Sequence, residues 1–533
     1  MPTDCIPFRT TRYFSDFICD YLDEKPTLKG LYNRFPTLEN FKAQIEEKQN
    51  SELVSEAHRA VLVKVLKEQY SNLKTSEATT ENIQSLASEN TFTITTGHQL
   101  NLFTGPLYFL YKIVSTINLT KALKEAYPDC NFVPVYWMAS EDHDFEEINY
   151  FNFKGKKVQW HSEQTGAVGH FKTSGLDDVF EVVAAEFGSG KFADQLKVWF
   201  KEAYLNHTNL SDATRYLANE LFGQYGLVII DADNRDLKRL FIPYIRKELL
   251  EQTAFKEVSD TNTTLETLGL KIQVNPRDIN LFYINDGLRE RIVFEDQKFS
   301  VLGTDISWEK DDMIKHLDAY PERFSPNVIM RPLYQEVILP NLCYIGGGGE
   351  MIYWLQLKSN FEAQGVTFPI LLLRNSALVK TKKQAEKLER LDITDKDLFL
   401  DRNTFINKKV RKISNIDIDF SDQVQHLLKQ FEDLHKLAEQ TDKSFLGAVK
   451  AQEVKQLKGI KHLEKRLLKA QKRKLKDHIE RCTDLQEQLF PNQSLQERNT
   501  NFSELYLQYG DELISELMHV LNPLNGQFAI ITI

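Results

Sequence analysis

The stretch that decides the fold is Phe92-Thr93-Ile94-Thr95-Thr96-Gly97-His98-Gln99, then Thr104-Gly105-Pro106, residues 107–126, Phe132-Val133-Pro134-Val135-Tyr136-Trp137, and Glu141-Asp142-His143-Asp144. The first run is rich in β-formers. Residues 107–126 carry helical apolar spacing, with Thr or Gly as the expected cap and Pro106 in the first turn. The second run is apolar almost without a break, as strands buried on both faces of a parallel sheet are. Strand, helix, strand predicts a doubly wound α/β sheet, and such sheets bind ligands beyond the carboxyl ends of their strands. Both strands end in polar, titratable residues. Four consecutive chargeable residues after a buried strand are costly unless paired or used, so the chemistry is expected here.

Working outward, the alternation continues. Leu227-Val228-Ile229-Ile230-Asp231 reads as a strand, followed by a helix from about Asp236 to Leu250. Leu342-Cys343-Tyr344-Ile345 and Pro369-Ile370-Leu371-Leu372-Leu373 read as two more, with a helix over 351–361 between them. Residues 1–90 read as helical from the spacing of Phe14, Phe17, Ile18, Tyr21 and Leu22, and of Val61, Val65 and Leu66. Two interruptions, residues 146–220 and 258–325, are too long for plain loops and read as inserted subdomains. The second holds Leu281-Phe282-Tyr283-Ile284, Arg291-Ile292-Val293-Phe294 and Phe299-Ser300-Val301-Leu302, a small antiparallel set.

From residue 420 to about 490 the pattern is a helical hairpin. Val424, Leu427/Leu428, Phe431, Leu434 and Leu437/Ala438 form one seam. Leu457, Ile460, Leu463/Glu464, Leu467, Leu475 and Ile479 extend it at coiled-coil spacing. The expected organisation is an N-terminal helical segment (1–90) packing on a catalytic core (91–377) that carries the two insertions. A helical connector (378–419), an antiparallel coiled-coil hairpin (420–490), and C-terminal helices with a terminal strand (491–533) follow.

With 533 residues, 42% of them hydrophobic, the chain can fill more than one core. A formal net charge of −10 argues against general nucleic-acid affinity. Residues 450–481 hold twelve Lys/Arg against four acids, but charge runs on coiled coils are solvated faces, so no nucleic-acid partner is expected. Cys5, Cys19, Cys130, Cys343 and Cys482 form no C-x-x-C pair, which argues against a disulfide framework or zinc ribbon. Met1-Pro2-Thr3-Asp4 begins no signal peptide, and no apolar run approaches the roughly 20 residues of a membrane span. A cytoplasmic protein without a membrane partner is expected.

Four motifs carry candidate chemistry. Gly97, His98, Gln99, Asn101, Thr104 and Gly105 join a strand to a helix N-terminus, where free N–H groups favour an anion. The Gly-Lys-Ser/Thr of a Walker A loop is absent. Glu141, Asp142, His143 and Asp144 suit acid–base work or the holding of an amine, and spacing alone selects no metal. Gly346-Gly347-Gly348-Gly349-Glu350 follows a buried strand and opens a helix, which allows close approach of backbone to a ligand and an N–H nest for an anion. Read as G-x-G-x-x-G from Gly346, the run places Met351 at the third glycine, so the dinucleotide fingerprint fails. Arg331 is a bidentate clamp for carboxylate or phosphate, and Arg374 ends the following strand. Trp137 and Trp354 read as core or pocket walls.

Three blocks together resemble one family, the bacillithiol biosynthesis cysteine-adding enzymes. They are Gly97-His98-Gln99…Thr104-Gly105-Pro106-Leu107-Tyr108…Lys112-Ile113; Pro134-Val135-Tyr136-Trp137…Glu141-Asp142-His143-Asp144…Glu147-Ile148-Asn149; and Ser325-Pro326-Asn327…Arg331-Pro332…Gln335…Leu339-Pro340…Tyr344-Ile345-Gly346-Gly347…Gly349-Glu350…Tyr353-Trp354. The resemblance covers essentially the whole chain. It implies amide formation between the carboxylate of L-cysteine and the amine of glucosaminyl-malate, with ATP as activator and a divalent metal such as Mg as an accompanying ion. It also implies a fold similar to class I cysteinyl-type ligases: a Rossmann-like core, connecting-peptide insertions, and an α-helical coiled coil used in homodimers.

On that reading Asp142, His143 or Asp144, beside Glu141, would take the amine proton. The helix start near Gly105 and the Gly346–Gly349 turn would hold phosphates, and Arg331 or Arg374 the malate carboxylates. Gln335, Tyr344, Glu350 and the two tryptophans complete the expected binding set. An H-x-G-H motif is absent, and Lys380-Thr381-Lys382-Lys383 stands where such ligases carry a lysine-rich signature. Competing readings are another ATP-dependent acyl or nucleotidyl transferase, and a non-catalytic coiled-coil protein that binds RNA or a partner.

Overall fold

A computed structural model describes residues 3–51, 53 and 55–533; Met1 and Pro2 of the leader reading, and Glu52 and Val54 of the helical N-terminal segment, lie outside the described residues. The chain divides into two compact units, residues 1–378 with 496–531, and residues 379–495 with 532–533.

The first unit is built on β1 (Thr91–His98), β2 (Asn131–Met138), β3 (Val228–Asp231), β4 (Asn341–Gly346) and β5 (Ile370–Leu373), in the spatial order β5-β4-β1-β2-β3. All neighbours are parallel. The chain therefore runs outward from β1 on one side, returns, and runs outward on the other. The strand order reverses between β1 and β4, and crevices open at such a switch. Gly97 pairs with Trp137 and Tyr344 with Thr95, which brings the ends of β1, β2 and β4 to one edge. Phe92, Ile94, Phe132, Leu342, Ile345, Ile370 and Leu372 form the sheet's core with Phe41 and Ile45 from the helix Leu38–Gln49.

Four helices position the site: α1 (Tyr108–Ala126), α2 (Arg235–Glu251), α3 (Met330–Ile338) and α4 (Gly348–Leu355). The start of α1 differs from the sequence expectation. No side chain caps it, and Thr104 and Gly105 belong to a preceding turn. The N–H groups of Leu107, Phe109 and Leu110 donate to the carbonyls of Thr500, Pro106 and Leu107, so they are not free for an anion. Phe103, Thr104 and Gly105 all have positive φ. Asn501 Nδ2 holds the turn by donating to the carbonyls of Phe103 and Gly105, at 2.8 and 2.6 Å. A Cβ at Gly105 would stand 2.7 Å from that of Asn101, so only glycine fits.

Two further expectations are corrected. Thr3–Pro7 is a strand, paired antiparallel with Gln527–Thr532, where the pattern predicts helix. Pro7 has no N–H for a helix, and Ile6 suits a strand. The helix expected over 351–361 is two, α4 and Lys358–Gln364.

Residues 146–220 hold the hairpin Tyr150–Phe153/Lys156–Gln159 and the helices Leu176–Phe187, Lys191–Leu205 and Leu210–Phe222. Within 258–326 lies an antiparallel sheet ordered Ser307–Glu309, Lys298–Val301, Leu288–Glu295, Leu281–Asn285, Phe324–Pro326. A buried network ties α3 to the main sheet. Lys48 meets Glu336 at 3.4 Å. Glu336 Oε1 accepts from Asn341 and Gln335, and Asn341 Oδ1 accepts from the hydroxyls of Thr93 and Thr95. Every buried charge there has a partner, as burial demands.

The second unit contains the helices Ser421–Ala438, Lys443–Lys474 and Lys476–Leu489. Phe431, Ala438 and Val449 form one apolar cluster, and Val410, Ile418 and Ile479 another. The seam is narrower than the sequence pattern: Leu434, Leu437 and Leu463 are 41%, 54% and 57% exposed. Lys443–Lys474 has 32 residues and Ser421–Ala438 only 18, so the longer helix outruns its partner. No helix among the described residues is long and apolar enough to cross a membrane.

Candidate active site

Two adjoining cavities, of about 460 and 480 Å³, lie beyond the carboxyl ends of β1, β2 and β4. Trp137, Ala139, Val328 and Arg331 line both. The tetraglycine turn and the acidic stretch therefore open on one cleft, although they are some 200 residues apart in sequence.

The first cavity is a cationic wall. Gly97 sits where a Cβ would be 3.1 Å from Tyr344 Oη, so a side chain at the end of β1 would press on that hydroxyl. Lys112 Nζ donates to the Gly97 carbonyl and to Glu350 Oε2, both at 2.6 Å. Glu350 also accepts from the Gly347 N–H at 2.8 Å and from the Tyr344 hydroxyl at 2.7 Å. Burial pushes the Glu350 carboxyl up, but Lys112 and these donors outweigh it and hold it below the usual range. Lys112 and Glu350 thus neutralise each other. Arg374 is paired with the buried Glu497, so Arg331 and Arg498, against Glu147, leave the wall with a net positive charge.

Arg331 donates from NH1 to Gln335 Oε1 at 3.0 Å, while its NH2 is buried without a hydrogen-bond partner. Its guanidinium lies 5.6 to 5.8 Å from the rings of Trp137, Tyr344 and Trp354. Arg374, only 3% exposed, donates to Glu497 Oε1 at 2.8 Å, to the Asn375 carbonyl and to Ser376 Oγ, which leaves Nε unpartnered. Gly348 and Gly349 open α4, so their N–H groups have no helical acceptor. None of Gly346 to Gly349 has a positive φ, so the turn is a helix start and not the alternating nest expected. His98 packs against Tyr108 and Phe109 with Nε2 unpartnered, and burial, reinforced by Lys112, pushes its pKa well below the ordinary value.

The second cavity combines Glu141, Asp142 and His143 with Arg277, Arg289 and Arg291 and the apolar Ile279, Leu281, Phe282 and Val328. Glu141 is a strut. Burial pushes its pKa up against Lys238, which pairs with it and donates to the Phe324 carbonyl at 2.7 Å. Asp142 accepts from the His143 N–H at 2.7 Å and from Gln99 Nε2 at 2.9 Å. Gln99 also donates to Glu147 at 2.9 Å. His143 Nδ1 lies 2.6 Å from Arg289 NH1.

The cavity walls hold Gly97, His98, Gln99, Trp137, Glu141, Asp142, His143, Arg331, Tyr344, Gly347, Gly348, Gly349, Glu350 and Arg374. Gln335, Gly346 and Trp354 stand just behind, with Trp354 stacked on Tyr344 at 4.4 Å. Asn101, Thr104 and Gly105 do not line the cleft. Asp144 is exposed and lines neither cavity, because consecutive residues of a turn point in different directions. The sequence reading misses Lys112, Glu147, Arg289, Tyr353 and Arg498 as wall residues. Lys112 left one signal, a cation set among the apolar residues of the first two turns of α1. Arg289, on a strand of the inserted sheet, left none. Among the described residues no three His, Cys, Asp or Glu side chains converge as metal ligands.

Residues 1–375 match the N-terminal Rossmann-like domain of bacillithiol biosynthesis BshC, and residues 377–533 match its C-terminal coiled-coil domain. A protein of Christiangramia forsetii named "Putative cysteine ligase BshC" is 60% identical, covering 100% of this chain and 99% of that one. Proteins of the same name from Flavobacterium johnsoniae and Cytophaga hutchinsonii are 59% and 40% identical. The first covers 100% of both chains, and the second 97% of this chain and 96% of its own. With both domains matched along its length, this chain belongs to the bacillithiol biosynthesis BshC family.

Proposed function

We propose that the protein is a C–N ligase that joins the carboxylate of L-cysteine to the amine of glucosaminyl-malate, giving bacillithiol, with ATP as the activator. The observation that carries this reading is the cleft itself, in which a cationic cavity adjoins one that presents Asp142 and His143. The unpartnered donors of Arg331 and Arg374 and the open helix start of α4 suit a malyl dicarboxylate or a phosphate chain. ATP supplies a leaving group on the cysteine carboxylate, and Mg enters as the phosphates' counter-ion. Asp142 accepts the proton that the amine loses as the C–N bond forms, a contribution of roughly 100- to 10,000-fold. The names of the relatives support ligase activity with cysteine.

The test incubates the purified protein with ATP, cysteine and several aminosugars, and follows thiol product and nucleotide by mass spectrometry. Bacillithiol formed only from glucosaminyl-malate, with ADP or AMP released in step, is the expected result. Equal turnover of other amines would favour a broader acyl or nucleotidyl transferase. Exposed Leu434, Leu437, Val454 and Leu463 on the hairpin support a homodimer formed through this unit. Light scattering of a Leu437→Lys/Leu463→Lys variant is expected to show a shift toward monomer.

A further inference from the structure

We propose that Arg289 is a positioning residue that fixes the ring of His143 in one tautomer and so divides the proton chemistry between His143 and Asp142. The proposal rests on the ligase reading for its chemistry, but its geometry stands alone. Arg289 NH1 lies 2.6 Å from His143 Nδ1. A guanidinium has donors and no acceptor. Nδ1 must therefore accept, and the ring hydrogen sits on Nε2. A protonated Nδ1 would set one N–H against another.

Arg289 cannot easily turn away. It is 9% exposed, its Nε donates to Ser325 Oγ at 3.2 Å, its NH2 to the Pro326 carbonyl at 3.4 Å, and its guanidinium lies 4.0 Å from the Phe282 ring centre. The Phe282 ring also faces His143, at 5.5 Å. The charged groups beside Nδ1 are Arg289 at 2.6 Å and, on its own turn, Asp142 Oδ1 at 3.8 Å, while Glu141, Arg277 and Arg291 line the same cavity.

The consequence is a division of labour. His143 offers Nε2–H as a hydrogen-bond donor to the carbonyl oxygen of the activated cysteine, where negative charge develops as the amine adds. It does not serve as the base through Nδ1. Asp142, placed by Gln99, accepts the proton released by the amine. The C–N bond forms, the C–O bond to the phosphate or adenylate breaks, and the leaving group departs with its electron pair. The inserted antiparallel sheet thereby contributes to the chemistry of a site built by the main sheet.

The test has two arms. In the first, ¹⁵N spectra of the histidine rings are recorded on the full-length protein without substrates, and His143 is identified among the twelve histidines by its loss in His143→Asn. The wild type is expected to show a protonated Nε2 and a bare Nδ1, and Arg289→Ala a mixture of tautomers. A wild-type ring with Nδ1–H, or an unchanged ring in Arg289→Ala, overturns the proposal whatever the substrate proves to be. In the second arm, turnover is compared in His143→Gln, whose amide nitrogen takes the place of Nε2, and His143→Asn, whose amide nitrogen takes the place of Nδ1. His143→Gln is expected to retain more kcat than His143→Asn, and Arg289→Ala to lose up to about 100-fold in kcat with KM little changed. Equal loss in both His143 variants overturns the donor role. Absence of any turnover with cysteine in the wild type would count against the ligase reading and leave the first arm to decide the tautomer.

Discussion

Arg374 is 4% exposed at its side chain and Glu497 fully buried, 2.8 Å apart. Truncating one partner of a buried pair strands the other charge, at a cost of about 3–5 kcal/mol. Arg374→Ala is therefore expected to lower unfolding stability by that order in urea, and Arg374→Met/Glu497→Leu by much less. Equal losses would show that the pair, not the stranded charge, matters. A second residue-scale expectation concerns pH. His170 Nε2 is 2.8 Å from Asp233 Oδ2. The Asp233 carboxylate beside it, opposed by burial, raises the His170 pKa above its ordinary value. A raised histidine contributes stability in full below about pH 6.5 and loses it as pH rises through the folded value. The melting gap between wild type and His170→Gln should be wider at about pH 6 than at about pH 9. A gap that is constant or widens with pH would contradict the pairing.

At the scale of elements, the cleft depends on how closely β1 and β4 present their ends. A Cβ at Gly97 would stand 3.1 Å from Tyr344 Oη and in ordinary contact, at 3.9 Å, with Arg331 NH1, so Gly97→Ala pushes on the Tyr344 hydroxyl that Glu350 accepts from. Turnover is expected to fall at least tenfold while the melting temperature moves by only a few degrees, since the strand itself tolerates alanine. A large loss of stability with kcat preserved would recast Gly97 as structural. The five strands were legible because four are short apolar runs between polar punctuation and β1 is a run of threonines interleaved with Phe92 and Ile94. The start of α1 was not, because its first N–H groups are met by Thr500 and Pro106, the former nearly 400 residues away. The coiled-coil seam was over-read for a related reason. Apolar spacing marks a face, and packing decides how much of it is covered: Leu434 and Leu437 on the shorter helix stay exposed, as does Leu463 on the longer one.

Across the whole molecule, the sequence expects its candidate residues at strand ends, and the structure brings several of them to one cleft. Gly97, Trp137, Asp142 and Gly347 arrive at one cleft because parallel strands align their carboxyl ends. What it withheld are the residues that reach the cleft from elsewhere: Arg289 from an inserted sheet, Arg498 from the C-terminal segment, and Lys112 from the interior of α1. For Arg289 and Arg498 no local pattern encodes the arrival, since it follows from packing alone. The central claim is that the two adjoining cavities form one reaction site, and a crystal structure with glucosaminyl-malate and a non-hydrolysable ATP analogue tests it most directly. Malyl carboxylates or phosphates on Arg331, Arg374 and the α4 turn, with the amine directed at Asp142, are the expected result. Both ligands bound outside this cleft, with Arg331 and Asp142 untouched, would contradict it.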